Sequence, residues 1–173
     1  MNSASNQHVL AAINQRRSIR TYTGEEIPLE TLREIVRAGI RAPSGLNNQP
    51  WRFVLIRDPE MRRQLAEQTT YRHIVLAAPA LIAVFLDRRA MYDEIKDHQA
   101  AGACLQNMLL AAEALGLGAV WLGQIRKNKA EVARLLGLGE EMDLAAMVAL
   151  GRPEGSTPPS PRKAFEEFIL KEI

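Results

Sequence analysis

At 173 residues, 47% of them hydrophobic and 24% charged, the chain is too apolar to be disordered and has the length of one domain, here read as residues 1–173. A formal net charge of +2 excludes the broad basic surface of a nucleic-acid binder. The longest apolar run contains Gln106, Asn107 and Glu113, which excludes a membrane-spanning helix there. The single Cys104 excludes an internal disulfide framework, and the opening MNSASNQHVL lacks the basic-then-apolar layout of a secretion signal. Both predict a cytoplasmic protein.

Residues His8 to Asn14 read as a short helix with Val9, Ala12 and Ile13 on one face. RRSIRTYTGEEIP follows. If Ile19 points inward from an extended segment, Arg16, Ser18 and Arg20 share the other face, and Arg17 can reach round on its long stem. Guanidinium forks beside a hydroxyl are what a phosphate monoester needs, although three arginines in five residues also occur on plain surfaces. Pro28 suits the first turn of a second helix carrying Leu32, Ile35, Val36 and Ile40, with Glu30 at its positive end and Arg37 and Arg41 at its negative end.

The loop APSGLNNQPW, Ala42 to Trp51, organises the chain. Pro43 should end the helix, Gly45 permits a positive φ, and Ser44, Asn47, Asn48 and Gln49 crowd donors and acceptors into a few positions. Such a loop can ring a flat, polar-edged ligand or serve as an ordinary polar turn. A strand from Trp51 to Arg57 comes next, then Asp58-Pro59 as cap and first turn of a helix to about Glu67. Tyr71, Arg72 and His73 read as loop, Leu76 to Ala78 as a helical fragment before Pro79, and Ala80 to Leu86 as a strand. His73 has no paired acid or nucleophile and reads as a surface histidine.

Arg88 to His98 is polar and leads into Ala100 to Leu115, a helix apolar nearly all round that must be covered on most sides, by the fold or by a second subunit. Cys104 and Met108 there read as packing, and Gly116 as the left-handed cap. Ala119 to Leu122 is a strand ending at Gly123, where a glycine allows a bulge or close approach to a ligand. Asn128 with Glu131 has the spacing of a capping box for a helix to Leu136, closed by Gly137. The continuous apolar run Leu144 to Leu150 predicts a strand buried on both faces. A Pro-, Ser- and Gly-rich tail ends in Arg162-Lys163, with Phe165, Phe168 and Ile169 as apolar anchors. The clusters Arg16-Arg17-Arg20 and Arg162-Lys163 suit a small anion, whereas Arg126, Lys127 and Lys129 read as surface. His8, His73 and His98 are isolated, so no metal site is expected.

In this order, RRSIR, APSGLNNQPW, AAGACLQNMLLAAEALGLGAVWLG, ALGRP and a late PR resemble the nitroreductase family of flavin enzymes from about Arg16 to Lys163. The resemblance implies an α+β fold, a mixed central β-sheet flanked by helices, in an intertwined homodimer with FMN at the interface. It places Arg16, Arg17 and Ser18 on the FMN phosphate and ribityl side, Arg20 at the pyrimidine edge, and Arg162 returning to the phosphate. Pro43, Ser44 and Asn47 would contact the flavin from the partner subunit, and Leu122 and Gly123 would lie against the ring with a backbone donor near N5.

The implied activity is hydride transfer from NAD(P)H to flavin N5, then ping-pong delivery of electrons to a nitroaromatic, quinone or similar small acceptor. No catalytic side chain is required, and Arg20 would tune the flavin. A specialised flavin relative (a reductive dehalogenase or flavin-processing enzyme) and a non-catalytic FMN-binding or sensing module are the alternatives. Little room remains between Leu86 and Ala100 for the helices that cover the flavin face in longer members.

Overall fold

The computed structural model describes residues 3–173, with side chains from His8 onward; the first two residues of the N-terminal segment lie outside the described residues. Its centre is a four-stranded antiparallel sheet in the order β1 (Trp51–Ile56), β2 (Ala80–Asp87), β4 (Met142–Gly151), β3 (Gly118–Leu122). The expected mixed pairing is confined to one isolated parallel bridge, Ser18 to Ala119. β2 is buried along its whole length and β4 along nearly all of it, because their side chains alternate between two cores.

On one face Ile82, Val84, Leu86, Ala146 and Val148 pack with Leu32 and Ile35 of α2 (Leu29–Gly39) and Cys104, Leu105 and Met108 of α5 (Glu94–Ala114). On the other, Leu81, Ala83, Phe85, Met147 and Ala149 meet Leu65 of α3 (Pro59–Ala66), Ile74 and Val75 of α4 (Arg72–Ala77) and Val132 of α6 (Lys129–Leu135). The fold is thus α+β, a sheet sandwiched between helices, with α1 (Ser3–Gln15) leading in. α2 crosses α5 closely at Gly39, where a Cβ would lie 2.7 Å from Met108. Burial pushes the Cys104 thiol up to about 12, which makes it a packing group rather than a nucleophile.

Several local expectations are revised. α2 stops at Gly39, four residues before Pro43. Arg72 and His73 are helical, in α4, rather than loop. Asn128 makes no cap; its amide donates instead to the Gln68 carbonyl at 3.0 Å, so the capping box with Glu131 does not form. Phe165, Phe168 and Ile169 anchor nothing within the chain, and all three side chains are exposed. Gly116 does take the left-handed φ of +71° beyond α5.

α5 begins six residues earlier than the apolar pattern suggested, because Asp93 caps it by accepting from the Lys96 N–H at 2.9 Å. One turn on, the fully buried Asp97 accepts from the backbone N–H groups of Tyr92 (2.9 Å) and Asp93 (3.0 Å) and from Asn48 Nδ2 (2.7 Å). The helix start and the 42–51 loop therefore share one carboxylate. Burial opposes its charged form, but the Asn48 amide and the two backbone donors outweigh that and hold the carboxyl below its ordinary range.

A depressed carboxyl stabilises the fold above its unfolded value of about 3.9, and this contribution is lost as pH falls through the folded value. Asp97→Ala should cost on the order of 2–4 kcal/mol in urea melts at pH 7, because three donors lose their acceptor. The gap from wild type should narrow at pH 3; an unchanged gap would show that the charge is not what holds the loop.

Candidate functional site

The segment from Arg16 to Tyr22 meets the outer edge of β3 at Ser18 and Ile19 and passes to Pro153, beyond the end of β4, at Tyr22, held there by its two apolar residues. Ile19 packs on Gly118, where a Cβ would lie 2.6 Å from it, and Tyr22 packs on Gly151 in the same way. Ile19 N donates to the Ala119 carbonyl (3.0 Å), and the Tyr22 hydroxyl donates to the carbonyl of Ile19 (2.7 Å). With Ile19 inward, the arginines are left outward or half-buried, as the alternation predicts.

None of Arg16, Arg17 and Arg20 has a carboxylate partner among the described residues. Glu25 is taken by Arg152 (2.7 Å) and Glu26 by Arg57 (3.1 Å), which removes the two acids nearest Arg20. Arg17 Nη1 donates to the carbonyls of Asn14 (2.6 Å), Gln15 and Arg16 at the end of α1, and Arg20 Nη1 to the Ser18 carbonyl (3.0 Å). Arg16 Nε is buried and has no acceptor. Arg62 Nε is buried without an acceptor as well, and what sets Arg16 apart is that two further guanidinium groups without carboxylates stand beside it, a set of donors able to receive an anion.

β3 carries the second part of the site. Its alternation turns Val120 and Leu122 into the α3/α4/α6 core, so the buried Leu122 offers a ligand only its backbone. Trp121 points the other way and is 42% exposed. Gly123 is exposed at an ordinary φ of −86°, and a Cβ there would meet only Trp121 Nε1, at 3.7 Å. Nothing within the chain requires glycine at this position; close approach of a flat ligand would.

The loop Pro43 to Pro50 is strained, but not where its glycine suggested. Leu46, Asn47 and Gln49 take positive φ values of 53°, 56° and 47°, a cost of order 1 kcal/mol or more each. Gly45 is instead required for space, since a Cβ there would collide with the Tyr92 hydroxyl. Ser44 Oγ accepts from the Gln49 N–H (3.1 Å), Gln49 Nε2 donates to the Asn47 carbonyl (3.1 Å), and Asn48 reaches Ala90 and Asp97. The side chains of Leu46 and Asn47 are left outside.

The chain brings Arg16, Arg17, Ser18 and Arg20 to the edge that also holds Leu122 and Gly123, but it keeps Pro43, Ser44 and Asn47 away. Ser18 lies level with Ala119, Leu150 and Ala80, whereas Trp51 at the loop's end lies level with Leu86. Ser18 is four strand spacings, roughly 19 Å, across the sheet and six residues, roughly 20 Å, along it from Trp51, and Leu122 is three spacings, roughly 14 Å, and three residues, roughly 10 Å, away. Arg162 stands in the exposed tail, which leaves the body beside Thr21 (Glu154 N to Thr21 O, 3.2 Å), and its guanidinium bonds only the carbonyls of Ser160 and Pro161.

Sequence reasoning missed the two acids that hold these parts. Asp97 sits in a segment read as variable. Asp143 heads a strand read as purely apolar, and it gathers Lys129 (2.6 Å), Arg126 (3.4 Å), Arg88 (3.6 Å) and His98 (3.5 Å). The cluster read as plain surface is thus tied to a carboxylate that is 5% exposed. A lone Asp at the mouth of a buried strand was the available signal. Among the described residues no group of three or more His, Cys, Asp or Glu side chains could hold a metal, and no helix is long and apolar enough to cross a membrane.

The model of the nitroreductase family matches residues 13–70 and 64–152. A Desulfovibrio desulfuricans protein, provisionally named a nitroreductase and crystallised in complex with FMN, is 53% identical with a TM-score of 0.91 over 95% of this chain and 96% of its own. An Archaeoglobus fulgidus protein provisionally named NADH dehydrogenase/NAD(P)H nitroreductase is 37% identical over 86% of this chain and 87% of the relative. The NADPH-flavin oxidoreductase of Vibrio harveyi is 31% identical over 90% and 70%. Motif order, fold and these likenesses agree: the chain belongs to the nitroreductase family.

Proposed function

We propose that the chain is an FMN-dependent NAD(P)H oxidoreductase whose site is completed by a second copy of itself. The observation that carries this reading is the run of guanidinium groups at Arg16, Arg17 and Arg20 without carboxylate partners, with Arg16 Nε buried and unsatisfied. Arg16, Arg17 and Ser18 hold the phosphate end, and Arg20 faces the pyrimidine edge. The open Gly123 and the Leu122 backbone lie against the ring. FMN held there would supply the redox chemistry, with hydride accepted from NAD(P)H and electrons passed to a nitroaromatic, quinone or similar small acceptor in ping-pong order. The names of the relatives, one solved with FMN and others named as NAD(P)H enzymes, support the same cofactor pair.

The second subunit follows from the diagonal separation across the sheet: Pro43, Ser44 and Asn47 of the partner subunit complete the ring-binding end. The surface favours such a partner. On α5 a half-covered stripe of Gly102, Ala103, Gln106 and Leu110 faces outward, and Val9, Leu10 and Ile13 of α1 and Phe165, Phe168 and Leu170 of the tail are exposed. Gly102 costs about 1 kcal/mol relative to alanine inside a helix, and nothing in the chain needs it, since a Cβ would find only Trp121 at 3.8 Å. A partner helix in close contact explains it. Arg162, exposed on the tail, is then free to reach a phosphate across the assembly.

The purified protein should be yellow with a flavin spectrum and should oxidise NADH or NADPH with a quinone acceptor. Bound FMN without turnover would make it a binding or sensing module instead. Arg16→Ala and Arg17→Ala should each weaken FMN binding by about 1.5–3 kcal/mol in titrations of the apoprotein, and unchanged dissociation constants would remove the phosphate assignment. Gly102→Leu leaves the subunit interior untouched but should convert a dimer to monomers with loss of flavin, as read by light scattering. If wild type is itself a flavin-loaded monomer at micromolar concentration, the two-subunit site is wrong. Arg20→Leu removes a cation that favours added negative charge on the ring; a differential loss of about 1–2 kcal/mol lowers the midpoint potential by roughly 20–45 mV. Matching potentials in spectroelectrochemistry would leave Arg20 as a structural residue.

A further inference from the structure

The turn that begins at Gly123 is clamped from two sides by side chains to which the flavin reading gives no task. On one side Gln124 Oε1 accepts from Thr69 Oγ1 (2.7 Å) and Thr70 N (3.1 Å), and Asn128 Nδ2 donates to the Gln68 carbonyl (3.0 Å). On the other side Arg126 Nε donates to the Leu144 carbonyl (2.8 Å), and its Nη2 lies 3.4 Å from Asp143 Oδ2 and 3.1 Å from His98 Nε2. His98 Nδ1 is 2.7 Å from the Glu94 carbonyl, which can only accept. Nδ1 therefore carries a proton, and Nε2 stands between Arg126 Nη2 and Asp143 Oδ2, 3.5 Å from the carboxylate. The guanidinium thus has two oxygen acceptors on β4, the Leu144 carbonyl and Asp143, while the Arg126 N–H closes the turn onto the Gly123 carbonyl (3.2 Å).

A single 3₁₀ turn, Gln124–Asn128, has little stability of its own, and Gly123 has no side chain with which to fix itself. Where its backbone stands is decided by what holds the turn. Ile125 is fully buried, and besides the Arg126 bond to the Leu144 carbonyl the charged tie to the central strand β4 is the buried Asp143, which holds both Arg126 and Lys129. We infer that Asp143, acting through Arg126, is a positioning residue that sets the Gly123 backbone at the redox end of the site. This inference rests on the FMN reading above, in which a Gly123 backbone N–H would stand against the ring near N5; N5 accepts in oxidised flavin and bears a hydrogen in reduced flavin, so a donor held there favours the oxidised form.

A purely electrostatic explanation competes with positioning, and the signs of the effects separate the two. If Asp143 and Arg126 acted only through their charges, Asp143→Asn would raise the flavin potential and Arg126→Met would lower it. If they position Gly123, both variants slacken the turn and both raise it. Arg88→Met removes the same charge as Arg126→Met from the same carboxylate without touching the turn. The test is spectroelectrochemistry on FMN-loaded wild type and the three variants, with FMN titrations and thermal melts of the apoproteins.

The expected result is a tenfold or greater gain in the affinity ratio of reduced to oxidised FMN, about 30 mV, for both Asp143→Asn and Arg126→Met, and less than threefold for Arg88→Met. Opposite signs, an equal shift in Arg88→Met, or lower melting temperatures with unshifted potentials would each overturn the inference. If Asp143→Asn fails to fold, the comparison of Arg126→Met with Arg88→Met decides alone, since both side chains are substantially exposed. Wild type that takes up no FMN overturns the flavin reading itself; uptake with unshifted variants overturns only this inference.

Discussion

The burial of β2 and β4 on both faces is the constraint from which the rest of the arrangement follows. Every position of β2, and all but the first of β4, is out of solvent, so neither strand can present a working side chain in its middle. Helices must cover both faces, and polar function is driven to the sheet's edges and to the strand ends. This is where the unpartnered arginines, the open Gly123, the strained loop and the two buried acids are found. The antiparallel order then puts the edge bearing Arg16 to Arg20 diagonally across from the edge bearing the loop. If the two regions serve one ligand, as proposed, parts that far apart on one subunit would become neighbours only when another copy is set against it.

Both edges need rigidity that their own backbones lack, and the fold supplies it with buried carboxylates. Asp97 locks the loop to the start of α5 through Asn48, and Asp143 locks the turn after β3 to the start of β4. Each acid is buried yet stays ionised, because several donors converge on it; in each case burial pushes the carboxyl up and the partners pull it further down. Asp143 depends on Lys129 first, then on Arg126 and Arg88. Buried ion pairs of this kind add little net stability when compared with apolar packing, and their value here lies in fixing geometry. The three left-handed residues of the loop point the same way, since strain persists only where surrounding bonds overdetermine the backbone.

Much of this was legible in the sequence where periodicity or steric rules operate locally. The strands at Trp51, Ala80, Ala119 and Leu144, the inward Ile19 and the left-handed Gly116 follow from alternation and cap chemistry. Readings that depended on which distant partner a polar group would choose went astray. Asn128 had the spacing of a capping box, but the Gln68 carbonyl captured its amide. Gly45 permits a positive φ, whereas its neighbours took the left-handed angles and its missing Cβ instead makes room for the Tyr92 ring, 47 residues away. Arg126 and Lys129 looked like solvated charge because Asp143 lies 14 or more residues further on. Non-local pairing of this kind leaves no periodic trace.

Gly102 and Gly123 are glycines without a reason inside the subunit: neither has a positive φ, and neither faces a neighbour that a methyl group would strike. At Gly39, Gly118 and Gly151, by contrast, a Cβ would come within 2.7 Å of a side chain of the same chain. A glycine inside a helix costs stability that a folded chain does not give up without return. The two unexplained positions therefore mark where other matter comes close. Gly102 lies on the half-covered stripe of α5, and Gly123 lies on the edge shared with the unpaired arginines. Trp121 stands between them, its ring near both. The same stretch of surface would thus border a partner helix on one side and a bound ring on the other, and under the proposed two-subunit site assembly and cofactor binding would be linked through Trp121.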